Sequence, residues 1–391
     1  MTYRRAAIAA VVGGLLLTVL LWWAGASAQA LHLPGTTDVI GGRAAAELEH
    51  WLTPWSYDPP ASVQFGAGSS GGIGDTAGTD GSRYLALYAT ALQIRFGTVF
   101  VFFVLGALLL VRRLPPVHGR MRATLLAVWA WGLVAGTLAV TVSAPWLIAA
   151  QGHGSYRFLP QLASVISSGR QTVAVSALAA AAGTVLAARI IAGGAGPLPQ
   201  AVVPARAARL AATAGTAVVA LSLVVLSYQP VAAAIQTVSL HGELFAEPGE
   251  LLRQWLLLGA WASPAGATLG DWLLYRAADV LLLAVVWWAL RRLSGLFTRA
   301  TVPAMAVGAV CATVLGLLAS QLLRVAVDGA GSGLHWGLVY LSGSVGGGVP
   351  AALIWGPVAG VAAAVTLRVA VDRPEAADAA ASDVQNPGSA E

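Results

Sequence analysis

The chain has 391 residues, 57% of them hydrophobic and only 10% charged, far below the roughly 25% charged residues that keep an ordinary soluble domain hydrated. Its net charge of +5 comes entirely from arginine, with 22 Arg, no Lys and 17 acidic residues. In so apolar a chain an arginine excess reports membrane topology, which excludes nucleic acid as a partner, and a single Cys311 excludes a disulfide framework or a cysteine metal site.

A spanning helix needs roughly 20 mainly apolar residues. The sequence supplies such runs at 6–24, 95–112, 122–142, 171–190, 208–227, 272–290, 302–323 and 350–367. This predicts an all-α integral membrane fold over residues 1–370, a bundle of about eight transmembrane helices, followed by a polar, acidic, Ala-rich cytoplasmic tail at 371–391 that composition marks as disordered.

The first run is ambiguous. MTYRR, an apolar stretch and AGASAQA together resemble a signal peptide with a small-residue cleavage site after Ala30, yet the run from Ala6 to Trp23 is longer than a usual signal core. Retention places both termini in the cytoplasm; cleavage leaves the new N-terminus outside.

Arginines set the direction of the remaining spans. Arg4, Arg5, Arg112, Arg113, Arg120, Arg122, Arg189, Arg206, Arg209, Arg291, Arg292, Arg299 and Arg368 gather at alternate helix ends, and every Asp and Glu before residue 372 falls at or toward the opposite ends. The arginine-rich ends are thus expected on the cytoplasmic face of a plasma membrane. The long connections, about 25–92, 146–169, 229–271 and 325–349, then lie outside and form the working surface.

Within the outer connections, RAAAELEHWLTPW reads as an interfacial amphipathic helix anchored by Trp51 and Trp55, and EPGELLRQWLLLGAWASP as a segment that lies on the membrane or dips into it. His32, His153, His241 and His335 give one histidine per outer connection, but no spacing among them demands a metal. GAGSSG at 66–71 matches a dinucleotide-binding string without its strand and helix, so no cofactor is implied.

Three return helices begin and end with arginine: Arg95 to Arg112, Arg170 to Arg189 and Arg276 to Arg291. Four tandem helical hairpins are one arrangement that explains this repetition, and interfacial arginines flanking any helix are the other.

The sharpest feature is the pair Arg276 and Asp279 inside the sixth run. Asp279 lies twelve residues before Arg291, roughly 18 Å along a helix. A charge at such depth costs about 2.5–3.5 kcal/mol on insertion scales, so both residues should face the bundle or a wet cavity. Their i, i+3 spacing lets them pair.

As a site, Arg276 and Asp279 would bind an anionic group, with Arg95 and Arg170 adding positive charge at the entrance. As structure, the pair would fix helix packing. Gln321 and Arg324 read as polar contacts between helices. LSGSVGGGVPAALIWGPVAG at 341–360, with Pro350 and Pro357, reads either as a broken helix lining a site or as a loop before a kinked span.

These features favour a multi-pass protein of transporter, permease-like or small-molecule-binding type that handles an anionic small molecule or lipid headgroup from the outer side. Membrane lipids, and a partner membrane protein, are its expected company. The alternatives are an envelope enzyme acting on a polyprenyl-phosphate substrate, with Asp38, Asp58 or Asp271 as base, and a non-catalytic assembly protein. The absence of a catalytic triad, nucleophile elbow or P-loop weighs against an enzyme without removing it.

Overall fold

A computed structural model describes residues 3–59, 77–116, 120–150, 158–192, 203–226, 228–240, 247–258, 268–297, 301–328 and 347–385. Among them every regular element is helical. Eight helices are long and apolar enough to cross a bilayer: α1 (Tyr3–Ser27), α2 (Ala77–Arg113), α3 (Met121–Ala150), α4 (Arg170–Ile191), α5 (Ala205–Leu226), α6 (Leu269–Leu296), α7 (Val302–Asp328) and α8 (Val349–Gln385). The protein is a multi-pass, all-α membrane bundle.

Several helices overrun the apolar stretches that mark them. Backbone groups at the edge of an apolar run still need hydrogen bonds, and continuing the helix supplies them. Thus α2 starts at Ala77, well before Arg95. The tail expected to lack order continues α8 as far as Gln385, which accords with alanine's helix propensity. Residues 386–391 lie outside the described ones.

Each expected hairpin packs its own two helices together, and the hairpins join two by two. Helices α1 to α4 close a ring in which α1 touches α2, α2 touches α3, α3 touches α4 and α4 returns to α1. Helices α5 to α8 close a second ring in the same cyclic order.

The rings meet through α3 and α7, supported by contacts of α2 with α7 and of α3 with α8. At this seam the Cys311 thiol of α7 lies 3.3 Å from the Ala127 carbonyl of α3. Small residues make the close packing possible without any hydrophobic gain over lipid. On α8, a Cβ placed on Gly356 would stand 2.7 Å from Val310 Cα, and one on Gly360 would stand 2.5 Å from Ala306 Cα, both on α7.

The glycine- and proline-rich string is therefore helical from Val349 onward. Pro350 sits in the first turn, where no intrahelical N–H bond is lost, and Pro357 lies inside the helix. Residues 341–346 lie outside the described ones.

The arginine-rich ends share one side of the bundle. Arg112, at the end of α2, stacks 5.7 Å from the ring of Tyr3 at the start of α1. Arg189, at the end of α4, reaches Met121 Sδ at the start of α3 at 3.8 Å.

At the opposite end, called here the loop end, short helices cover both rings. Gly42–Leu52 and a 3-10 turn, Thr53–Trp55, follow α1. Phe158–Ser167 precedes α4. Gln229–Gln236 and Gly249–Leu256 follow α5.

Trp55 departs from its expected role as an interfacial anchor. It is 0% exposed, and its indole N–H donates to the Gly169 carbonyl at 3.2 Å. Amphipathic periodicity marks an apolar face but does not say whether lipid or protein covers it; here the first ring does. A Cβ on Gly25 of α1 would overlap the Trp55 carbonyl, so the glycine lets this strap lie against the helix. The second ring is tied in a related way, with Trp355 of α8 donating to the Leu256 carbonyl at 2.9 Å.

Candidate functional site

Asp279 is the centre of the polar cluster in the second ring. The span Trp272–Leu296 has 25 residues, which puts Asp279 about 10 Å in from its loop end. Its side chain is 13% exposed. Arg276 Nη1 lies 3.2 Å from one carboxylate oxygen, as the i, i+3 spacing predicts.

The other oxygen faces Arg324 Nη2 of α7 at 3.9 Å. Arg324, expected to make a polar contact between helices, does so here, with Asp279 as a partner that the sequence did not indicate. It stands 45 residues from Asp279 in the chain, and only the packing of α6 on α7 brings the two together.

Aromatic faces hold both guanidinium groups. Arg276 lies 5.7 Å from the Trp272 ring, and Arg324 lies 4.8 Å from the Tyr275 ring. Such contacts favour a cation removed from water. Arg324 is 20% exposed and Arg276 42% exposed. Arg324 Nε is buried without a hydrogen-bond partner among the described residues. One turn away, Gln321 donates to the Gly347 carbonyl at 3.2 Å, fixing the start of α8 beside the cluster.

Two guanidinium groups thus converge on one carboxylate. Positions lining the exposed side of α6 are apolar, with Leu273 and Val280 both open. The cluster therefore borders a lipid-like surface while presenting positive charge at the loop end.

Arg95 has a different setting. It is 1% exposed, enclosed by α2, α3 and the strap. Its Nε donates to Ser143 Oγ of α3 at 2.9 Å and its Nη1 to the Pro54 carbonyl. The Trp55 ring covers it at 5.6 Å. Nη2 has no hydrogen-bond partner among the described residues. Tyr88, one helical turn and three residues earlier on α2, pins the strap by donating to the Ser56 carbonyl at 2.8 Å.

Arg170 opens α4 directly after Gly169, the residue that accepts from Trp55. Arg95 and Arg170 thus flank one tryptophan in the first ring, whereas Arg276 belongs to the second. The structure brings Arg276 and Asp279 together, and adds Arg324.

The acidic residues of the enzyme alternative are placed apart. Asp58 accepts from Gln29 Nε2 at 2.7 Å, Asp38 sits on the short helix Thr36–Ile40, and the side chain of Asp271 lies outside the described residues. His32 faces Glu49 at 3.7 Å; His153, His241 and His335 lie outside the described residues.

Comparison with protein-family models, with curated proteins and with solved structures finds no match for this chain.

Proposed function

We propose that the protein binds an anionic group, the phosphate or carboxylate of a small solute or lipid headgroup, at the Arg276–Asp279–Arg324 cluster, as a permease-like or ligand-binding membrane component. The observation that carries this reading is the convergence of two guanidinium groups on one carboxylate. Asp279, 13% exposed, is shared between the guanidinium groups of Arg276 and Arg324, which brings two cations to one place between α6 and α7. An incoming anion would meet both guanidinium groups, whose forks suit phosphate and carboxylate.

The loop end faces the outside of the plasma membrane in this proposal, because the arginine-rich ends lie opposite. Arg95 braces the strap, holding Pro54 and Trp55 against the first ring.

Anionic and cationic methanethiosulfonates test both points. In a Cys311→Ala background, Trp272→Cys places a thiol beside Arg276, at a position that is exposed. Intact cells should label from outside, several-fold faster with the anionic reagent than with the cationic one, and Arg276→Gln with Arg324→Gln should abolish that preference. Labelling confined to inverted vesicles would overturn the orientation, and an unchanged preference in the double variant would overturn the anion site.

A further inference from the structure

A second positive centre lies in the first ring, in the cleft between α3, α4 and the Phe158–Ser167 helix. Its apolar wall is Leu133, Val140, Ile166 and Val173, and its polar lining is Thr137, Ser168 and Arg170. The two hydroxyl protons are committed: Thr137 Oγ1 donates to the Leu133 carbonyl at 3.0 Å, and Ser168 Oγ to the Val165 carbonyl at 2.7 Å. Arg170, half-buried, makes no hydrogen bond or ion pair among the described residues. It is the cation among the residues that line the cleft.

Among the described residues no acidic side chain pairs with it. The charged neighbour of Arg170 is Arg253 of the Gly249–Leu256 helix, and Glu250 already takes Arg253 in a two-pronged pair at 2.6 and 3.0 Å. Gln254 anchors that helix to the first ring by donating to the Ala163 carbonyl at 2.8 Å. Gly169 turns into α4 at φ 66° without a side-chain cap, so the first N–H groups of α4 lend further positive character.

The enclosed space is about 10 Å³, room for one water or one ligand oxygen. A ligand therefore inserts one oxygen and leaves its bulk outside. We infer that Arg170 holds an oxygen of an oxyanion, phosphate or carboxylate, in this cleft, as a second anion site separate from Arg276.

The oxyanion can come from a lipid headgroup or from a free anion, and thermal unfolding of the delipidated full-length protein separates the two. The melting midpoint is followed with added phosphatidylglycerol, phosphatidylcholine or inorganic phosphate. The inference expects the wild type to be stabilised by phosphatidylglycerol over phosphatidylcholine if the source is a headgroup, or by inorganic phosphate if it is a free anion.

In either case Arg276→Gln, with the first site removed, should keep a stabilising response, and adding Arg170→Gln to it should raise the amount of the same anion needed at least tenfold. Arg170→Lys preserves the charge without the fork and guards against a folding defect: it should respond, with weaker affinity than wild type. In the Arg276→Gln background, identical responses with Arg170, Arg170→Gln and Arg170→Lys would overturn the inference. So would no response to any anion in the wild type, or a response lost in Arg276→Gln and kept in Arg170→Gln.

Discussion

Asp279→Asn removes the one negative charge between Arg276 and Arg324 while keeping the shape of the side chain. Two charges about 4 Å apart interact by about 4 kcal/mol at an effective dielectric constant of 20, and removing one member of a fully buried pair costs about 3–5 kcal/mol. Arg276 is 42% exposed and can turn toward solvent, whereas Arg324 is 20% exposed and Asp279 only 13%. The cost should therefore fall below the buried range, at about 2 kcal/mol, most of it from Arg324. For a chain of this length that lowers the apparent Tm by roughly 2 °C. The assay is thermal unfolding of the purified protein, with Arg324→Gln and the double variant completing a cycle. Neighbouring charges couple by about 0.5–3 kcal/mol, so the double variant should be less destabilised than the sum of the singles. An unchanged Tm in Asp279→Asn, or strict additivity in the cycle, would refute the reasoning.

Ser143→Ala should destabilise by about 1–3 kcal/mol, because it leaves the enclosed Arg95 Nε without its acceptor; denaturation of the two proteins side by side measures this. Gly360→Leu should destabilise by about 1–3 kcal/mol or more through its clash with Ala306. Gly97→Ala, where a Cβ meets nothing within 4 Å, should instead stabilise α2 by about 1 kcal/mol, and equal effects of the two glycine substitutions would contradict the packing. Intact-mass measurement of the purified protein should find residues 1–30 present, because α1 supplies the buried Leu17 and Leu21 and closes the first ring between α2 and α4; a mass lacking those residues would show that the ring closes without α1.

Long apolar runs made the eight helices legible, because a bilayer admits few other ways to satisfy a backbone. The pairing of Arg276 with Asp279 was equally legible, being a local matter of helix spacing. Partners set by packing were not. Nothing near Arg324 in the chain indicates that it turns toward α6, and nothing near Arg95 indicates Ser143 or the Pro54 carbonyl, 48 and 41 residues away. Trp55 carried an apolar signal whose covering surface the sequence left open. The grouping of hairpins into two rings depends on small residues such as Gly106 of α2 meeting Trp131 of α3 and Gly316 of α7 meeting Leu282 of α6, which composition alone does not specify.

Native mass spectrometry of the gently solubilised protein beside Arg276→Gln and Arg170→Gln tests the central claim, an anion held at Arg276, Asp279 and Arg324, most directly. The account predicts that the wild type retains an anionic lipid or small anion that Arg276→Gln loses and Arg170→Gln keeps at that site. If wild type and Arg276→Gln carry the same number of bound anions, or the wild type carries none, Arg276 and Asp279 only hold α6 against α7 and the anion-binding proposal fails.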